Sequence, residues 1–100
     1  MSEAIRHVRV RGRVQGVGFR MFVEDAAALH GVEGWVRNRR DGSVEAVFAG
    51  QPEAVRAVIE ACRRGPRGGW VEAVEETGGT AELLARRHPG DRFSVLRTGD

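Results

Sequence analysis

One hundred residues, 41% hydrophobic and 30% charged, fit a single globular domain over 1–100 with one core and exclude a disordered chain. No apolar run reaches membrane-spanning length, and Met1 to His7 lacks the apolar stretch of a secretory leader. The net charge is a mild +2, and Cys62, the single cysteine, cannot close an internal disulfide, so a cytoplasmic setting is expected.

Val8, Val10, Gly12 and Val14 alternate with His7, Arg9, Arg11 and Arg13, which predicts a first strand with one apolar face. Two glycines, Gly16 and Gly18, make a turn after it. Phe19, Phe22, Val23, Ala26, Ala27 and His30 then fall at helical spacing, with Gly31 as the stop. Glu33 to Arg39 and Ser43 to Ala49 read as two strands joined at Asp41-Gly42, a hairpin. Pro52 opens a second helix striped by Val55, Val58, Ile59 and Cys62; Arg63 and Arg64 suit its last turn, and Gly65-Pro66 ends it. A fourth strand is predicted near Trp70 to Glu76. Thr80 to Asp91 is a connector with a short helical stretch, and Phe93 to Arg97 is a last strand.

This order predicts an α+β fold, the ferredoxin-like α/β sandwich: β-α-β-β-α-β plus a short terminal strand, with two helices on one face of an antiparallel-rich sheet. A crossover helix joins the first two strands, so they run parallel and end at the same edge of the sheet. The glycine turn follows the first strand and Asn38 lies near the end of the second, so the fold brings them close.

The run Gly12-Arg13-Val14-Gln15-Gly16-Val17-Gly18-Phe19-Arg20 is the most informative stretch. N–H groups in such a turn can converge on one anion, the helix N-terminus adds partial positive charge, and Arg20 supplies a cationic fork. The layout reads as a site for one phosphate-like anion; it also fits a plain tight turn followed by a solvated arginine. No Gly-Lys-Ser/Thr follows, and the glycine spacing is not that of a dinucleotide fingerprint. All 16 basic residues are arginine, and Arg6, Arg9, Arg11, Arg13 and Arg20 fall between Glu3 and Glu24 with no acid among them. Glu72 to Glu82 is acidic. Positive potential is therefore expected around the turn, although Arg9 and Arg11 also fit an exposed strand face.

Three matches carry a family resemblance: Gly12-x-Val14-Gln15-Gly16-Val17-Gly18-Phe19-Arg20; Gly34-Trp35-Val36-x-Asn38-x-x-Asp41-Gly42-x-Val44; and Gly65-Pro66 with Phe93-x-Val95-x-Arg97. On these the chain resembles the acylphosphatases over roughly residues 5 to 97, departing from the pattern in the arginine-rich connector between Gly78 and Asp91. The resemblance implies metal-independent hydrolysis of acyl phosphates to a carboxylate and inorganic phosphate, with no cofactor. It implies that the loop Gln15, Gly16, Val17, Gly18, Phe19 and Arg20 binds the substrate phosphate, that Arg20 is the phosphate-binding arginine and that Asn38 positions the attacking water. The partner is then a small-molecule acyl phosphate, with inorganic phosphate as product and competitive inhibitor, and the expected protein is a monomer with neither nucleic acid nor membrane as partner.

Other residues are expected in the scaffold. Trp35 and Trp70 read as packing or partly buried surface residues, Cys62 as core, His30 as partly buried at the end of an apolar stripe, and Phe19 and Phe22 as anchors beneath the loop. The histidines His7, His30 and His88 are scattered, without metal-ligand spacing. Two other functions stand beside the hydrolase. One is an acyl- or carbamoyl-phosphate-handling module like the N-terminal domain of the hydrogenase-maturation carbamoyltransferase. The other is a basic ferredoxin-like nucleic-acid binder, for which the aromatic signature is missing.

Overall fold

The computed structural model describes residues 3–100; Met1 and Ser2, the start of the expected domain, lie outside the described residues. Strand β1 (Ala4–Arg13) leads through the glycine turn into helix α1 (Phe19–His30). Strands β2 (Glu33–Asn38) and β3 (Val44–Gly50) form the expected hairpin, and helix α2 (Pro52–Arg64) follows. Strand β4 (Trp70–Gly78), the short helix α3 (Ala81–Leu84) and strand β5 (Phe93–Val95) complete the chain. The sheet order is β4-β1-β3-β2-β5. β3 is antiparallel to both β1 and β2, so those two run parallel without touching, as the crossover requires. The fold is the ferredoxin-like sandwich expected from the element order.

Register decides which side chains meet. Val8 faces Ala46, Val10 faces Val44, and Val36 also pairs with Ala46. These valines join Phe48, Phe19, Val23, Ala27, Val55, Val58, Ile59 and Cys62 in one buried cluster between sheet and helices. Because side chains alternate along a strand, Asn38 shares the helix-side face of β2 with Val36. The opposite face carries Trp35, Arg37, Glu45 and Val47. The connector partly covers it: Trp35 is fully buried and its indole N–H donates to the Leu83 carbonyl at 2.7 Å.

Several expectations need correction. His30 is exposed, because the buried stripe of α1 ends at Ala27 and Gly31 stops the helix one turn later. Trp70 is 69% exposed, at the start of an edge strand with no layer above it. Ordered β5 ends at Val95 rather than Arg97. The chain still follows β2 beyond that point, through Leu96 N–H to the Val36 carbonyl and Gly99 N–H to the Asn38 carbonyl.

The predicted charge asymmetry has a structural resolution. The basic strand β1 is paired antiparallel with the acidic strand β4. Arg6 reaches Glu76 at 2.8 Å, and Arg11 reaches Glu75 at 3.3 Å and Asp41 at 3.7 Å. Two of the β1 arginines, Arg6 and Arg11, are thus paired with acids of the neighbouring strand.

Candidate active site

The turn between β1 and α1 takes its shape from two glycines. Gly16 and Gly18 have φ of 75° and 80°, left-handed values that L side chains rarely adopt, and a Cβ at either would meet only open space. The requirement is conformational, and the open space leaves the backbone accessible. Gly18 is the N-cap of α1 and offers no side-chain cap; the first turn holds no acid. Among the described residues no protein acceptor takes the N–H groups of 16–21, the first helical bond being Phe22 N–H to the Gly18 carbonyl. A helix N-terminus without its own cap is a favourable place for an anion.

The loop is held from behind. The Gln15 carboxamide donates both N–H groups, to the Arg39 and Ser43 carbonyls, each at 2.8 Å. That ties the loop to the β2–β3 hairpin carrying Asn38. Val17 packs against the core, and Phe19 is buried with its ring 6.0 Å from that of Phe22. The hairpin turn is fixed by Asp41, which accepts from the Ser43 amide at 2.9 Å and the Ser43 hydroxyl at 2.6 Å. Those hydrogen bonds hold its carboxyl below the ordinary value.

A cleft of about 360 Å³ opens at this edge of the sheet. Gly16, Gly18, Phe19, Arg20 and Asn38 line it together, so loop and asparagine meet as the parallel topology implied. Gln15 and Val17 do not line it; their side chains anchor the loop, and only their backbone belongs to the turn. Arg20 is exposed and forms no ion pair among the described residues. The Asn38 carboxamide has no protein partner among them either, while its backbone carbonyl accepts from Gly99. Arg20 and Asn38 thus present unspent hydrogen-bonding capacity to one space.

Four further residues line the cleft without having been assigned to it from the sequence: Val14, Met21, Glu24 and Val95. Helical spacing could have found Glu24, four positions after Arg20 on the same face of α1. Val95 arrives only through the parallel pairing of β5 with β2, where it lies opposite Val36.

The acylphosphatase family model matches residues 6–90. The chain belongs to the acylphosphatase family. Acylphosphatases of Rhodopseudomonas palustris (strain BisB18) and Bradyrhizobium diazoefficiens are 56% and 57% identical to it, over 98% of this chain and 99% of theirs. The crystal structure of acylphosphatase from Bacillus subtilis superposes with a TM-score of 0.78 at 36% identity, covering 92% of this chain and 97% of that one. Membership makes this acylphosphatase an acyl phosphate hydrolase, the activity expected from the glycine-turn and Asn38 motifs.

Proposed function

We propose that this acylphosphatase acts on a small acyl phosphate whose phosphoryl group is bound by the amides of the 16–21 turn and by Arg20, while Asn38 orients the attacking water. The observation that carries the reading is the convergence of unpaired N–H groups, an unpaired guanidinium and an unpaired carboxamide on one cleft. Charge on the equatorial phosphoryl oxygens is met by the amides and the Arg20 fork, donors fixed in place before reaction. The Asn38 Oδ1 accepts a hydrogen bond from water and sets its line of approach. The water oxygen forms the new P–O bond as the P–O bond to the acyl group breaks. The carboxylate leaves with the electron pair and needs no strong general acid. An amide is too weakly basic to take the water's proton, which passes to a phosphoryl oxygen.

This chemistry asks for no metal, and the described residues contain no group of three or more His, Cys, Asp or Glu placed to hold one. Hydrolysis of benzoyl phosphate with a chelator present, against a phosphate monoester as control, tests the reading. Turnover of the acyl phosphate alone is expected; activity lost in chelator and restored by a divalent ion would contradict it. We further take the working form to be a cytoplasmic monomer. The buried thiol of Cys62, pushed up to about 12 by burial, suits a protein with no use for a reactive cysteine.

A further inference from the structure

The cleft is larger than its phosphate end. Its volume of about 360 Å³ lies within the range of about 300–1,000 Å³ typical of small-molecule sites. Beyond the loop the lining turns apolar. Met21, 67% exposed, follows Arg20 on α1, and Val95, 36% exposed, comes from β5. Each alone is an ordinary surface residue. They line one cleft, however, and that cleft also holds the phosphate-binding groups. Glu24, one helical turn past Arg20 and Met21, is the only acid among the lining residues. No ion pair joins it to a described residue within 4.0 Å.

We propose that Met21 and Val95 form an acyl-group wall and that Glu24 sets its charge selectivity: the enzyme favours acyl phosphates with an apolar acyl group longer than acetyl and disfavours those whose acyl group carries a carboxylate. This rests on the acyl phosphate reading above. An acyl chain anchored by its phosphoryl group at the helix N-terminus runs along α1, over Met21 and toward Glu24. Added methylenes lose water against Met21 and Val95. A distal carboxylate meets the like charge of Glu24 in a partly desolvated space, where repulsion is screened less than in bulk water. A neutral chain incurs no such cost.

Two substrate comparisons test the proposal. Acetyl, butyryl and hexanoyl phosphate share leaving groups of similar basicity, so chain length isolates the wall. From acetyl to hexanoyl, kcat/KM is expected to rise about tenfold in total, below the discrimination an enclosed pocket gives per methylene at its best. In Met21→Ser the rise should shrink to about threefold, while Met21→Leu should retain it. Met21 is exposed, so neither change threatens the fold, and a melting curve for each variant checks this. Benzoyl and 4-carboxybenzoyl phosphate differ by one distal carboxylate on a rigid ring. The wild type should prefer the former about tenfold, and Glu24→Gln should narrow that to about twofold. A flat chain-length series with acetyl phosphate still turned over would overturn the wall, and charge selectivity unchanged in Glu24→Gln would overturn the role of Glu24, each while leaving the hydrolase reading intact. Failure to hydrolyse any of these acyl phosphates would overturn both.

Discussion

Two arginine-bearing regions of this molecule differ in what their donors meet. On the face of the sheet opposite α1 and α2, Glu45 is buried and both its oxygens are occupied. Oε1 accepts from Arg37 Nε at 2.7 Å and Arg39 Nη1 at 3.0 Å, and His7 Nε2–H donates to Oε2 at 2.6 Å. Burial pushes the Glu45 carboxyl up, but these hydrogen bonds outweigh it and hold the group down at about 2. In the cleft, by contrast, Arg20, Asn38 and the amides of the turn meet no protein acceptor among the described residues. The first region spends most of its polar groups on the fold, the Nε atoms of Arg9 and Arg39 excepted, and the second leaves them unpaired. Arginine content alone does not distinguish the two; the presence or absence of partners does.

The comparison can be broken most forcefully at Arg20. Arg20→Ala is expected to lower kcat/KM by on the order of 10²–10³, the loss typical of a charge-stabilising donor in the transition state. Arg20→Lys should recover little, since an ammonium lacks the planar fork. Steady-state kinetics on benzoyl phosphate reads both. Asn38→Ala should separate chemistry from binding. Turnover should fall by about 10², while the inhibition constant for inorganic phosphate stays nearly constant. A parallel loss of thermal stability and phosphate affinity would instead make Asn38 a shaper of the strand end.

On the other face the effect should appear in stability. Glu45→Gln leaves Arg37, Arg39 and His7 without their shared anion. The partners are part-exposed, so the expected cost is about 2–3 kcal/mol, below the 3–5 of a fully buried pair, measured by urea denaturation. Its folded fraction should keep most of its turnover. The same carboxylate gives the protein an acid limit. Its folded value of about 2 lies below the ordinary 4.5, so its stabilisation is complete above pH 4.5 and disappears as pH falls toward 2. Acid titration followed by circular dichroism should show this loss, weakened in Glu45→Gln. The smallest effect belongs to β1. Arg11→Gln removes exposed pairs worth about 0–1 kcal/mol and should change kcat/KM by less than about twofold.

The elements, and the turn and Asn38 that line the candidate site, were legible because local signals agreed with one another. Valine alternation marked β1, Gly18 and Gly31 bounded α1, and the crossover helix placed Asn38 beside the turn through topology alone. Features that depend on register were not legible. The β1 arginines looked like an unopposed positive patch because nothing in the order of residues says that Glu75 and Glu76 lie beside them. Glu45 sits at a position that alternation assigns to solvent, yet it is buried, with three basic side chains bonded to its carboxylate. Gln15 belongs to the loop by sequence, yet its carboxamide bonds to a hairpin 24 and 28 residues away. Val95 enters the cleft through a parallel pairing of three residues that no local pattern encodes.

The most direct test of the central claim is to titrate inorganic phosphate into the ¹⁵N-labelled protein and follow every backbone amide and asparagine side chain. Saturable shifts concentrated at residues 16–21 and the Asn38 carboxamide are expected, largely abolished in Arg20→Ala and retained in Arg11→Gln. Shifts centred on Arg6, Arg9 and Arg11, unchanged by loss of Arg20, would contradict it.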